Sequence, residues 1–428
     1  MVGRVGGLVV VAGLLMPLGI TGGVVSSNTV PVPSKDSFYR YDGSTPLREV
    51  PPGTPLRERQ VHLALGTAST PRTAEQILYR TTNAAGSAVA SVTTVLLPDT
   101  STADPRVVGY LSFYDALTSR CDPSYTLRGG NPGSANEQNA DIEQAVVNSL
   151  NAEGYIVTVP DFEDEALDYV SGIESGTSSL DGIRATLRWL RLPAKRTPVA
   201  LMGYSGGSIA ADWASELAPR YTPDLHLVGV AAGGIPVDLA HNLAYVNGSP
   251  SWSDVMPAAM IGIARSYHLR LRHYLSAFGR QVVRVESHEC IGQFLGKWPG
   301  LTVAKLMKPR YRDLIHVPVF TRILNSLIMG SLPGHPTEPL LMVAGKSDNT
   351  GDGVMVTGDE DALAYEYCHQ GVPVDFQVLD HADHDNAGLL FMPLAMTWLA
   401  SRFAGLPAPD NCALIPPGNS LKPIRNRK

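Results

Sequence analysis

The chain has 428 residues, 44% of them hydrophobic and only 17% charged, with 41 Gly and 33 Pro. It is too long for a small module, too apolar for a disordered chain, and large enough to bury a sizeable core. A formal net charge of −6 from 34 basic and 40 acidic residues, with no run of like charge, argues against a nucleic-acid binder, and the absence of sustained heptads argues against a coiled coil.

The first elements in chain order are an apolar start and an irregular arm. After Arg4, residues 5–25 are uncharged and rich in Val, Leu and Gly. Residues 1–26 read as an export signal, with an uncleaved anchor as the alternative; the small residues Gly22, Gly23, Ser26 and Ser27 favour cleavage. The expected location is therefore secreted or cell-envelope associated. In such a compartment the four cysteines, Cys121, Cys290, Cys368 and Cys412, read as disulfides rather than free thiols. None lies in a CxxC pair, which argues against zinc or redox chemistry. Residues 28–60 are Pro- and Ser-rich with little periodicity and read as an arm on the body.

From Gln76 the pattern changes. Ile77–Thr82, a turn at Asn83–Gly86 and Ala88–Leu97 spell a β-hairpin. Val107–Phe113, Gly154–Pro160, Pro198–Met202, Leu225–Ala231, Leu340–Val343 and Val374–Leu379 are short apolar runs suited to buried parallel strands. Helical spacing falls between them at Ile142–Glu153, Gly182–Leu192 and Met392–Phe403. This alternation predicts an α/β fold with a mostly parallel sheet. Residues 237–312 break it. Leu239, Leu243, Val246, Met256, Met260, Ile263, Ala264 and Tyr267 recur at helical spacing, with Arg265, Arg270, Arg272, Arg280 and Arg284 between and after them. The stretch reads as an inserted helical cap, dividing a core at 27–236 and 313–412, with a tail at 413–428. No internal repeat is evident.

The chemistry centres on Gly203-Tyr-Ser-Gly-Gly207. As a bare GxSxG pattern it is weak, expected about 0.3 times by chance in so Gly-rich a chain. Its context is stronger: the strand Val199–Met202 precedes it and the helix Ser208–Leu217 follows. A strand, a tight turn through Ser205 and a helix form a nucleophile elbow, whose flanking glycines avoid a clash at the turn. A serine nucleophile needs a base, and the base needs an acid to orient it. The chain order Ser, acid, His points downstream. Asp348 ends the strand Leu340–Val343 and its continuation, where a triad acid belongs; Asp352, four residues on, is a rival. Asp359 and Asp361 read as helix-start charges. His381 and His384 both follow the last strand, and His384, nearer the closing helix, is the preferred base. A metal cluster within Asp380–Asp385 is the alternative, but one loop offers no defined ligand faces. Two backbone N–H groups should stabilise the oxyanion, one from Gly206 and one from Asp115 in the loop after Val107–Phe113.

These residues resemble the secretory lipases of the lipase-A type, an α/β-hydrolase family. The resemblance runs from about residue 40 to 412. It is carried by Tyr79–Pro98, Ser112–Asp115, Cys121–Tyr125, Val159–Phe162, Leu180–Ala185, Gly203–Gly207, Ala231–Gly234, Tyr367–Cys368, Ala382–His384, Trp398–Phe403 and Asn411–Cys412. It implies Ser205 as nucleophile, His384 as base, a helical lid, and the pairings Cys121–Cys290 and Cys368–Cys412. The sequence departs from the family after Asp348, where Asn349–Val354 is a longer stretch with its second aspartate. Counting from the strand favours Asp348, and counting back from Cys368 favours Asp352.

The expected function is hydrolysis of carboxylic esters, acylglycerols or other fatty esters, by Ser205, Asp348 and His384 through an acyl-enzyme. No cofactor or metal is required, and no nucleic acid or stable protein partner is implied. The cap should shelter the acyl chain, with opening at a lipid–water interface as a hypothesis that equal rates on monomeric and micellar ester would exclude. Transfer of the acyl group to a sugar or lipid alcohol is the alternative reaction; a peptidase and a non-catalytic binder on the same scaffold have less support.

Overall fold

The computed structural model describes residues 30–65, 68–100 and 103–425. The export signal expected at residues 1–26 lies outside them. Among the described residues, no helix is long and apolar enough to cross a membrane.

A nine-stranded sheet runs in the order β1-β2-β3-β5-β4-β6-β7-β8-β9. Its strands are β1 (Pro55–Leu65), β2 (Ala68–Thr82), β3 (Ala88–Leu96), β4 (Val107–Leu111), β5 (Ile156–Pro160), β6 (Pro198–Tyr204), β7 (His226–Gly233), β8 (Leu340–Lys346) and β9 (Val374–Asp380). The first three pair antiparallel, and from β5 to β9 every pairing is parallel. The hairpin read from sequence is β2–β3, in register from Glu75 opposite Val95 to Thr82 opposite Ala88. The arm read over residues 28–60 ends sooner, because Pro55 already begins β1. This strand lies at the sheet edge, and Arg57, Glu58 and Arg59 hide the period-2 alternation that marks a half-buried strand. Ahead of it, Phe38 packs into a small core with Leu78 and Val92, beneath the Arg59 guanidinium 3.9 Å from its ring.

Helices cover both faces. On one lie α1 (Glu137–Ala152) and α9 (His384–Phe403); on the other lie α2 (Gly172–Trp189) and α3 (Gly206–Tyr221). α2 begins ten residues before the periodicity suggested. Its first half, Gly172–Asp181, is small and polar yet nearly all buried. A Cβ at Gly176 would collide with the backbone at Trp213, so glycine there lets α2 and α3 approach closely.

Between β7 and β8 the chain is a helical insertion, with α4 (Leu239–Val246), α5 (Val255–Ser266), α6 (Ala277–Glu286) and α7 (Pro318–Ser326), the last two separated by an irregular stretch with single helical turns at Ile291–Phe294 and Val303–Leu306. A final long helix before α9, α8 (Thr357–His369), connects β8 to β9. Two disulfides join the pairs that the resemblance implied. Cys121–Cys290 ties the loop after β4 to the insertion, and Cys368–Cys412 ties α8 to the chain beyond α9. The last residues fold back, with Asn419 bonded to Gly358 O at 2.7 Å and Ile424 to the Asn325 side chain.

The interior holds an unusual number of carboxyls. Burial pushes Asp161 up to about 7; burial and then the neighbouring Asp164 do the same to Asp168. Burial alone also raises Glu143 to about 7, against hydrogen bonds that favour its charged form. A carboxyl whose folded pKa exceeds its unfolded value holds a proton that the unfolded chain has released, so it weakens the fold as pH rises between the two values. The melting temperature is therefore expected to fall as pH rises from about 4 to 7. Calorimetry across that range checks it, and a rising melting temperature would contradict the buried-proton account.

Candidate active site

Ser205 stands between β6 and α3 with φ +53° and ψ −122°, a conformation that only a constrained turn imposes on a non-glycine residue. The chain can turn there because Gly203 and Gly207 carry no Cβ. One at Gly203 would strike the Gly207 carbonyl, and one at Gly207 would strike that of Leu111. The Ser205 N–H donates to Gly233 O at 2.9 Å, fixing the turn to the end of β7.

The hydroxyl of Ser205 lies 2.8 Å from Nε2 of His384, and His384 Nδ1 lies 2.7 Å from Oδ2 of Asp352. His384 is the first residue of α9, so the closing helix starts at the histidine, earlier than the expected Met392. Asp383 caps that helix by accepting from Asn386 N at 2.9 Å. Tyr204 Oη donates to the His384 carbonyl at 2.6 Å, and the Trp252 ring meets the imidazole edge-on at 5.1 Å. The Asp380–Asp385 run thus splits between His384 turned inward, Asp383 as a cap, and His381 exposed with φ +63°. Among the described residues, no group of three or more His, Cys, Asp and Glu is placed to hold a metal.

The acid beside the histidine is Asp352, which corrects the preference for Asp348. Counting from the strand fails because residues 347–351 are spent in a turn. Asp348 Oδ1 accepts from the N–H groups of Thr350 and Gly351 at 2.6 and 2.9 Å, folding the loop back on itself. Asp348 is exposed, and its other oxygen accepts from Tyr245 Oη at 2.9 Å. The same Tyr245 oxygen accepts from Gly353 N at 2.9 Å, so Asp348 supports the loop without reaching the histidine. Asp352 is fully buried. Its Oδ1 accepts from Val354 N and Met355 N at 3.0 and 2.7 Å, and its carbonyl accepts from His384 N at 3.0 Å. Carboxylate and imidazole are thereby locked in one orientation.

Asp115 follows β4 with φ +38°, and its carboxyl sits against Gly206, where a Cβ would collide with it. Burial, and then the Glu143 carboxylate, raise the Asp115 pKa well above the usual carboxylate range, which favours its protonated form. Its Oδ1 is buried without a hydrogen-bond partner. Two buried acids that the sequence reading missed hold this loop. Glu143 accepts from Ser112 Oγ at 2.7 Å and Phe113 N at 2.8 Å; Glu163 accepts from Ala116 N at 2.8 Å. A signal existed for Glu143, a charged residue on the buried face of α1 with Val147 and Leu150. Trp252, against the imidazole, had none.

A cavity of about 50 Å³ opens at Ser205, Gly206 and Asp115. Its walls are apolar: Ile209 from α3, and Leu239, Leu243, Val246, Val255 and Ile263 from the insertion.

A mostly parallel sheet that presents a serine, a histidine and a buried aspartate in hydrogen-bonded series at the carboxyl ends of its strands has the architecture of an α/β-hydrolase. Within that class the chain belongs to the secretory lipase family, whose model matches residues 132–411. It is 33% identical over 393 residues to a probable inactive lipase of Mycobacterium tuberculosis (strain CDC 1551 / Oshkosh), spanning 89% of this chain and 84% of that protein. A secreted triacylglycerol lipase of Malassezia globosa is 31% identical, over 91% of this chain and 85% of its own. The X-ray structure of Candida antarctica lipase A superposes with a TM-score of 0.81 at 26% identity, covering 90% of this chain and 89% of that one.

Proposed function

We propose that this secretory lipase hydrolyses fatty esters, acylglycerols among them, with Ser205 as nucleophile, His384 as general base and acid, and Asp352 as the acid that orients it. The observation that carries the reading is the continuous Ser205–His384–Asp352 chain, at 2.8 and 2.7 Å, opening into an apolar cavity. Ser205 Oγ attacks the ester carbonyl carbon while His384 Nε2 takes its proton. The tetrahedral intermediate collapses, and the same proton leaves on the departing alcohol. A water molecule, deprotonated by His384, then attacks the acyl-enzyme; the bond to Ser205 Oγ breaks, the imidazolium returns its proton to that oxygen, and the acid is freed. Asp352, hydrogen-bonded to His384 Nδ1, stabilises the imidazolium. Residues 1–26 serve as the export signal, and residues 237–312 act as a cap over the acyl chain.

The oxyanion receives the Gly206 N–H and a donor from Asp115. In the protonated form that burial favours, the Asp115 carboxyl, whose Oδ1 has no other partner, would supply an O–H in addition to its backbone N–H. Asp115→Asn keeps a neutral donor and is expected to retain kcat within about tenfold, whereas Asp115→Leu should lower it by about 10²–10³. Ester kinetics on both variants decide this, since equal losses would show that the side chain acts only by packing.

Hydrolysis of p-nitrophenyl esters from short to long acyl chains, alongside a triacylglycerol emulsion, tests the reading. An optimum at medium or long chains is expected from the apolar walls. No hydrolysis of any ester by the folded protein would overturn it.

A further inference from the structure

Charge is unevenly distributed. Between Arg265 and Arg312, ten Lys and Arg stand against two Glu, a net of +8 in a chain whose total is −6. The other 380 residues carry 24 basic and 38 acidic side chains, a net of −14. The two acids of the basic stretch offset little at its surface: Glu286 is buried, and Glu289 is paired with Lys297. Arg270, Arg272, Arg284, Lys305, Arg310 and Arg312 are all exposed.

Two of these cations, Lys305 and Arg312, border an apolar feature. An open groove between α6 and the turns before α7 is lined by Phe278, Ala304, Met307 and Pro309, with Lys305 and Arg312 also on it. Phe278 is 39% exposed, unusual for a phenylalanine on the outer side of a helix whose inner face buries Gly279 and Val282. The stems of Lys and Arg can lie along such apolar surface while their charged ends remain in water. The groove belongs to the same insertion whose helices α4 and α5 wall the cavity at Ser205.

We infer that this face of the insertion docks on an anionic lipid surface, with Phe278 and the groove entering the headgroup region and the Lys and Arg of the stretch meeting the anionic headgroups. Charge complementarity selects the occupant. A chain with +8 in one stretch of its insertion and −14 elsewhere is oriented by a negative surface, insertion first, before contact. An anionic polymer would satisfy the cations but leave the apolar groove unused. The consequence deepens the ester-hydrolase reading: the enzyme would draw substrate from negatively charged lipid interfaces in preference to neutral ones.

Binding is read separately from turnover, so failure of the docking is distinguishable from failure of the hydrolase reading. Sedimentation with phosphatidylcholine vesicles, with and without phosphatidylglycerol, at low and high salt measures it. The full chain should bind the anionic vesicles, release them at high salt and ignore the neutral ones. Each cation near the surface is worth about fivefold, so Lys305→Gln with Arg312→Gln should lower the partition coefficient about 25-fold. Phe278→Ser should weaken binding to the anionic vesicles at low salt although every cation is retained. All variants should hydrolyse a soluble short-chain ester at the wild-type rate, which shows that they are folded. Equal binding to neutral and anionic vesicles, or wild-type binding by the double variant, would overturn the proposal. Retention on heparin without vesicle binding would overturn it in favour of an anionic polymer.

Discussion

Replacing Asp352 by asparagine is expected to lower kcat by about 10⁴-fold, while the same change at Asp348 costs less than about tenfold. The contrast follows from which atoms each carboxylate touches. Asp352 Oδ2 accepts from His384 Nδ1, and that bond holds the imidazole in the tautomer whose Nε2 can take the Ser205 proton. An asparagine there can retain the Val354 and Met355 bonds through its carbonyl oxygen. Its amide then presents an N–H to Nδ1, so the imidazole proton moves to Nε2 and faces the serine. The geometry survives but the base is lost. Asp348 meets only Thr350 N, Gly351 N and Tyr245 Oη, so its loss loosens a turn at the surface. Measuring kcat and melting temperature for both variants separates the two roles. Asp352→Asn should fold normally and fail to turn over, whereas Asp348→Asn should turn over and melt slightly earlier. The reverse ranking would return the acid to Asp348.

This aspartate shows where sequence reading stops. Ser205 was legible because everything that makes it a nucleophile candidate is local: a strand, two glycines that tolerate close carbonyls, and a helix. His384 was legible from its place between the last strand and the closing helix. The acid was ambiguous because its position depends on how many residues the loop after β8 consumes. That number is set by hydrogen bonds from Thr350 and Gly351 to Asp348, which no periodicity encodes. The same limit explains β1, where Arg57, Glu58 and Arg59 obscure an edge strand. It also explains the first half of α2, whose small polar residues fill a gap between the sheet and Trp213 and so carry no apolar stripe. Glu143 and Glu163 were passed over for a related reason. A buried carboxyl is a cost unless it is hydrogen-bonded, and its partners here are backbone and side-chain donors of a loop distant in sequence. Tertiary contacts, rather than local propensity, decide such positions.

Ser205→Ala and His384→Ala should each lower kcat by about 10⁶-fold, and the double variant should be no worse than either single one. Non-additivity is the signature of residues acting as one unit. Without the base the hydroxyl does not lose its proton, and without the hydroxyl the base has nothing to activate. The residual rate should come from the oxyanion donors and the cavity, which neither change disturbs. The comparison has particular force in this family, because a relative 33% identical to this chain is described as a probable inactive lipase. Family membership therefore does not guarantee turnover, and activity must be argued from the chain's own residues. Here Ser205 meets His384 at 2.8 Å, His384 meets a fully buried Asp352 at 2.7 Å, and the cavity beyond is open at the nucleophile. Steady-state ester hydrolysis by the wild type, both single variants and the double variant provides the check. Multiplicative losses would mean that Ser205 and His384 contribute independently, and the triad mechanism would have to be abandoned.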